Sequence, residues 1–481
     1  MLNKLSINGL RLKYDIQKFW SLWLFLVFIV YFSPSLIINF VFLILIFLMI
    51  YKKKYNYFWI ALWFTLLNSP GNFFAGGQLD DIRQLPSISY GPYGFDIEKF
   101  LPVFFLAKVI YHKKRENALF VFRKDMFFLL IIFLIYLIIS PFFGMDIGNL
   151  LNTIFILFYL TLFYTIPVLL SHESIINLDR LLFTVVIVAF ASQLFSFITG
   201  NYWIDFFKST GDSNRYSEGL VSRAIFSPYI ILYTFHKSFF YLYQKQKIFT
   251  SKYLSIIITI SLLSIFLSAT RGWIIGAFFS LFLMFIFLNN TVNLRKLLGL
   301  IIFGTIIVSI SILSIPKVNK QFEQAYDRFS TITKLKGGDV TMDGSLYRVT
   351  NRAPIMLEPF YKSPFIGYGF SETYWEKKDQ HIGHLMLLLN LGVIGYLIIM
   401  FYFIKWFFKI LRLSNKNKLI KIYFGNSPKV IAFGLLFILI IHSTSHYFIG
   451  FDIEIAPLFS FVLFISTFNG IVSHVKKKSL I

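Results

Sequence analysis

The chain has no cysteine among its 481 residues, which excludes a disulfide framework and a thiolate metal centre and leaves the redox compartment open. It is also short of charge. Only 14% of residues are charged against 57% hydrophobic, too few to coat a water-soluble body of this length. Acids are scarcer than bases, 23 against 46, giving a formal charge of +23. In a soluble protein that excess suggests nucleic acid. Here the bases sit in short segments between apolar runs and read as topology signals, so no nucleic-acid partner is expected. The first twenty residues hold Lys4, Arg11, Lys13 and Lys18 but lack a small-residue cleavage signature, so a retained, cytoplasmic N-terminus is expected. No internal repeat and no low-complexity tract beyond the apolar spans is evident.

What is present is apolar and aromatic. Runs long enough to cross about 30 Å of hydrocarbon predict an all-α polytopic membrane protein, a single transmembrane domain over 1–481 with about 14 (12–14) spans. They are placed near 18–32, 36–50, 55–68, 97–111, 126–142, 150–170, 181–199, 220–240, 253–268, 272–288, 297–315, 385–404, 429–447 and 456–472. A hairpin turn at Ser33-Pro34-Ser35 puts Lys52-Lys53-Lys54, Lys113-Lys114-Arg115, Lys245, Arg295-Lys296, Lys405–Lys429 and Lys476-Lys477-Lys478 on one side. The positive-inside rule makes that side cytoplasmic, and both termini with it. The other side receives irregular segments: 69–96 with Asp80-Asp81, which has no assigned role, 200–219, the Thr270-Arg271-Gly272 turn, and one large external loop, 316–384. Helical spacing of Phe322, Tyr326, Phe329 and Ile332, and of Leu346, Val349, Ala353, Met356 and Phe360, predicts two amphipathic surface helices in that loop.

Several polar residues stand out on the external side. Arg348 and Arg352, four residues apart, share one edge of the second surface helix, and two planar guanidiniums suit a dianionic group. Snorkelling to lipid headgroups explains them equally well. Arg271 lies between two apolar runs where the positive-inside rule has no use for it, so it either binds an anion or touches headgroups; Arg215 and Arg223 pose the same choice. His381 and His384 stand just ahead of Leu385, where an imidazole can take a proton from a hydroxyl or simply serve structure. His442 and His446 have spacing for a shared metal face but no third ligand, so no metal site is expected.

Taken in order, these features resemble the O-antigen polymerase and ligase superfamily, the Wzy-type and WaaL-type membrane glycosyltransferases. The residues that carry the resemblance are Arg215, Gly219 and Pro228; Ser268, Thr270, Arg271 and Gly272; Gly344, Ser345 and Arg348; Pro364, Gly367 and Gly369; and His381, Leu385, Gly392 and Gly395. They cover roughly residues 200–470. Ile382 departs from the pattern where the family usually has asparagine, and Arg352 where an aromatic often follows, which makes Arg348 the firmer match. The family histidine precedes the first glycine of the Gly-x-x-Gly pair by eleven residues, which selects His381 over His384.

The resemblance implies a type-C glycosyltransferase (GT-C-like) bundle in the bacterial inner membrane. It implies transfer of a glycan from a polyprenyl-diphosphate-linked oligosaccharide to a sugar hydroxyl at the external face. His381 is then the general base, Arg271, Arg348, Arg352, Arg215 and Arg223 hold the diphosphate, and Gly367 and Gly369 shape the loop. Neither metal nor other cofactor is expected, since guanidiniums can stabilise the leaving diphosphate. Membrane lipids and a chain-length regulator protein are the other expected partners. Divergence from the His-Asn pattern favours a polymerase over an O-antigen ligase acting on the lipid A core. A polysaccharide flippase or other transporter is disfavoured because the span centres read as nearly free of charge.

Overall fold

The computed structural model describes residues 2–32, 35–52, 54–68, 87–90, 93–112, 120–145, 154, 157–199, 227–268, 271–288, 314, 319, 323, 351–377, 382–442 and 455–479. Their regular structure is helical apart from one antiparallel pair, β1 (Ser87–Tyr90) and β2 (Tyr93–Asp96), in register from Ser87 opposite Asp96 to Tyr90 opposite Tyr93. The pair lies inside the segment expected to be irregular. Its signal is two four-residue runs with Tyr and Phe, parted in sequence by Gly91-Pro92.

The helices are α1 (Leu2–Phe32), α2 (Ser35–Tyr51), α3 (Asn56–Leu67), α4 (Ile97–His112) and α5 (Arg123–Ile139), which continues as a 3₁₀ turn over Ser140–Phe143. After them come α6 (Leu162–Leu169), α7 (His172–Thr199), α8 (Pro228–Tyr243), α9 (Ser251–Leu267) and α10 (Arg271–Leu288). The rest are α11 (Ala353–Lys362), α12 (Glu372–Lys377), α13 (Gly383–Lys416), α14 (Lys418–Phe424), α15 (Ser427–His442) and α16 (Ile455–Lys478). By length and composition four described helices could cross a bilayer, or five if α14 and α15, bent by 90°, count as one span. Six further apolar helices are shorter, at 10–17 residues. The expected span at 297–315 and the first surface helix, 322–332, lie outside the described residues except for the single positions 314 and 323.

Two boundaries differ from the sequence reading for identifiable reasons. Helix α7 starts at His172, well before the expected 181, because Asp179 points into the bundle and is paired there. Helix α8 starts at Pro228 instead of 220, where Asn68 at the end of α3 supplies the cap: its carbonyl accepts from Ser227 N at 3.0 Å and its Oδ1 from Tyr229 N at 3.0 Å. Of the second surface helix, 346–350 lie outside the described residues; a π turn over 351–352 leads into α11 at Ala353, with Pro354 in its first turn, where a missing N–H costs nothing. Its face of Ala353, Met356 and Pro359 is buried.

Two helices form the centre. In α16, 94% of the most apolar window is enclosed by protein, against 22% in α5, and α8 is likewise enclosed along its length. The periphery is apolar too. Phe40 and Phe47 on α2, Phe278 and Phe282 on α10, and Phe401 and Phe408 on α13 are each at least 58% exposed. An apolar exterior around a packed interior is what a bilayer covers.

Contacts also sort the helix ends. Lys108 reaches the carbonyls of Met49 and Lys52, Val121 N donates to Asn469 Oδ1, the His172 ring lies 5.0 Å from that of His474, and Lys429 meets Phe287 O. These tie the described basic segments to one end of the bundle, the basic end. The starts of α8, α10, α13 and α16 lie at the other.

Candidate active site

The motif Pro364–Gly369 closes on a break in α13. In a continuous helix the Val393 and Ile394 amides donate to the Leu389 and Asn390 carbonyls. Here Gly392 has φ 61 and ψ −176, and the ladder opens. The loop supplies every missing partner. Val393 N donates to Pro364 O at 2.8 Å and Ile394 N to Phe365 O at 3.2 Å, while Leu389 O accepts from Tyr368 N at 2.9 Å and Asn390 O from Gly369 N at 2.8 Å. The buried backbone is therefore satisfied across the break, as a membrane interior requires.

This exchange needs glycine on both sides. A Cβ on Gly392 would fall on the backbone of Phe365 and Ile366, and one on Gly367 on that of Asn390 and Gly392. Both have positive φ. Within the loop, Ser363 Oγ donates to Gly367 O at 2.9 Å. A second layer comes from α5: Tyr136 OH donates to Leu391 O, and Ser140 Oγ, donating to Tyr136 O at 2.6 Å, accepts from Phe370 N at 2.7 Å. The Asn390 amide group donates to Gly369 O. Two buried acceptors, Asn390 Oδ1 and Ser371 Oγ, have no hydrogen-bond partner among the described residues.

The other motif elements converge on the same end. Tyr229, in the first turn of α8, meets Trp273, in the first turn of α10, with ring centroids 6.4 Å apart. The backbone of Arg271 therefore opens α10 beside Pro228; its guanidinium lies outside the described atoms. Gly276 packs on Phe437 of α15, and two residues on, Leu439 lies against His384. His384 Nδ1 is 3.2 Å from Tyr396 OH, so this histidine bridges the two halves of α13. Arg352 is half-buried just before α11. His381, Arg348, Arg215, Arg223 and Asp80-Asp81 lie outside the described residues, as do His446 and the His442 side chain.

Tyr136, Ser140 and Asn390 were not singled out by sequence reasoning. Asn390 carried a signal, a lone amide between apolar neighbours, as did the Ser140-Pro141 stop at the end of an apolar run.

One sequence inference is corrected. The span interiors are not free of charge: Lys237 Nζ and Asp179 Oδ2 form an ion pair at 3.0 Å with side chains 1% and 0% exposed. Tyr233 and Tyr241 donate to the same carboxylate, and Thr467 accepts from Lys237 at 3.2 Å, so the pair joins α7, α8 and α16. Lys108 and His236 are buried as well. Hydropathy averages hide such residues because the apolar neighbours outweigh them.

No protein-family model and no curated protein matches the chain.

Proposed function

We propose that the chain is a membrane glycosyltransferase that polymerises lipid-linked oligosaccharide repeat units, joining a glycan from polyprenyl diphosphate to a sugar hydroxyl at the external face of a bacterial inner membrane. The observation that carries this reading is the exchange of backbone hydrogen bonds between Pro364–Gly369 and the Gly392 break. Two motifs that make the family resemblance, parted by more than twenty residues, become one structural unit. The start of α10, which bears Arg271, faces the same end of the bundle.

In this reading the bundle has about fourteen spans in a GT-C-like arrangement with both termini cytoplasmic, the basic end inside. In the same reading His381 removes a proton from the acceptor hydroxyl. Arg271 and Arg348, with Arg352, Arg215 and Arg223, meet the charge that grows on the leaving diphosphate, so no metal is required. The glycan breaks its bond to the diphosphate oxygen and forms one to the acceptor oxygen, while the proton passes to His381.

A transporter reading would use the Asp179–Lys237 pair as an ion path. Tyr233, Tyr241 and Thr467 satisfy the pair, which favours a clamp between helices.

The test is polymer-ladder formation by purified chain supplied with lipid-linked repeat units, with and without chelator. Wild type should extend the ladder under both conditions, and Arg271→Ala and Arg348→Ala should abolish it, with lysine at either position rescuing poorly for want of a bidentate fork. Transfer to a lipid A core acceptor in place of extension would make the protein a ligase. Undiminished ladders from both alanine variants would remove the arginines from the reaction.

A further inference from the structure

A cavity of about 830 Å³ opens between α4, α5 and α6 at the basic end of the bundle. Its walls are apolar, with Leu106 of α4, Phe127 and Leu130 of α5 and Leu160 beside α6, and its rim carries Arg123 and Lys124. From the rim to Leu130 it follows α5 for about two turns, roughly 10 Å at 1.5 Å per residue. The rim cations are exposed, and no carboxylate among the described residues pairs with either. Asp125, the neighbouring residue in sequence, turns inward, where Lys405 Nζ holds it at 2.7 Å and Trp406 Nε1 at 2.9 Å.

We propose that this cavity is a binding site for one anionic phospholipid from the leaflet at the basic end, its headgroup on Arg123 and Lys124 and an acyl chain along Leu106, Leu130 and Leu160. The volume lies in the range of ligand pockets. A zwitterionic lipid fills the walls equally well but leaves the two cations without net countercharge, and a free anion uses the cations but leaves the walls empty. Basic pockets between spanning helices have the chemistry that selects acidic headgroups. This site stands at the end opposite the glycine break and does not depend on the glycosyltransferase reading.

The experiment is native mass spectrometry of the full chain in detergent, titrated with phosphatidylglycerol and with phosphatidylcholine of identical acyl chains. Retention of phosphatidylglycerol should exceed that of phosphatidylcholine by on the order of tenfold, the worth of one or two charge contacts. The double variant Arg123→Gln/Lys124→Gln should lose the preference, whereas Arg123→Lys/Lys124→Arg should keep it, which separates charge from misfolding. Leu160→Trp, which fills the cavity and leaves both cations, should reduce retention of both lipids, with an unchanged melting temperature in lipid-free detergent. Equal retention of the two lipids by wild type, an undiminished preference in the Gln variant, or full retention by Leu160→Trp would each overturn the proposal. Displacement of the lipid by millimolar inorganic phosphate would make the rim an anion site instead.

Discussion

At the scale of single residues, a methyl group on Gly392 is the smallest change that should separate the motif loop from α13. Alanine there meets two penalties: a positive-φ, extended-ψ backbone that is essentially confined to glycine, worth about 1–3 kcal/mol, and a Cβ placed on the Phe365 carbonyl. Gly144 provides a positive-φ comparison, at φ 78 and ψ 116, where nothing stands within 4 Å of an added Cβ. Gly144→Ala should therefore lower the melting temperature in detergent by the backbone strain alone, and Gly392→Ala should lower it further and abolish polymer formation. Equal shifts in the two variants would mean that the loop contact contributes nothing beyond conformation. The two histidines divide similarly. His384 is occupied by Tyr396 and by the Leu439 backbone. His381→Ala should thus cost roughly two to four orders of magnitude in rate, the usual worth of a general base, and His384→Ala much less. Loss confined to the His384 variant would refute the alignment of the family histidine with His381.

At the scale of elements, the Asp179–Lys237 pair is a fully buried ion pair that joins helices. Removing one partner strands the other charge among apolar side chains, at a cost of about 3–5 kcal/mol. Asp179→Leu and Lys237→Met should each lower the melting temperature sharply, and the double variant should recover much of the loss because no lone charge remains. A double variant as unstable as the worse single one would show that the tyrosine and threonine hydrogen bonds, not the ion pair, hold α7, α8 and α16 together. Elements also mark how far the sequence could be read. Apolar runs located most helices, because length and hydropathy report burial in lipid or protein alike. They failed at the His172 start of α7, at the Pro228 start of α8 and at Gly392, where a remote group supplies the missing partner: Lys237, Asn68 and the Pro364–Gly369 loop. Periodicity has no term for a hydrogen bond from elsewhere in the chain. The glycine motif was legible as a motif, but its meaning, an exchange of backbone partners, required the two segments side by side.

At the scale of the whole molecule, the gathering of basic segments at one end gives topology a direct check. The chain has no cysteine, so single cysteines report cleanly. Ser414 is buried with its hydroxyl on Ile410 O, but Asn415 beside it is exposed. Ser345→Cys should react with an impermeant thiol reagent in intact spheroplasts, and Asn415→Cys only after lysis. The opposite pattern would invert the protein in the membrane and place the glycine break on the cytoplasmic face. The enclosure of α16 bears on how the protein is made. This helix leaves the ribosome after every helix it packs against, so α3, α6, α7 and α8 must wait in the bilayer with Thr467 and Asn469 not yet delivered to Lys237 and Val121. Until then the assembly is hollow where it will later be most dense. Biogenesis should accordingly have a single late commitment step, and nascent chains arrested before residue 455 should be degraded by membrane proteases even though most of their helices have already been inserted.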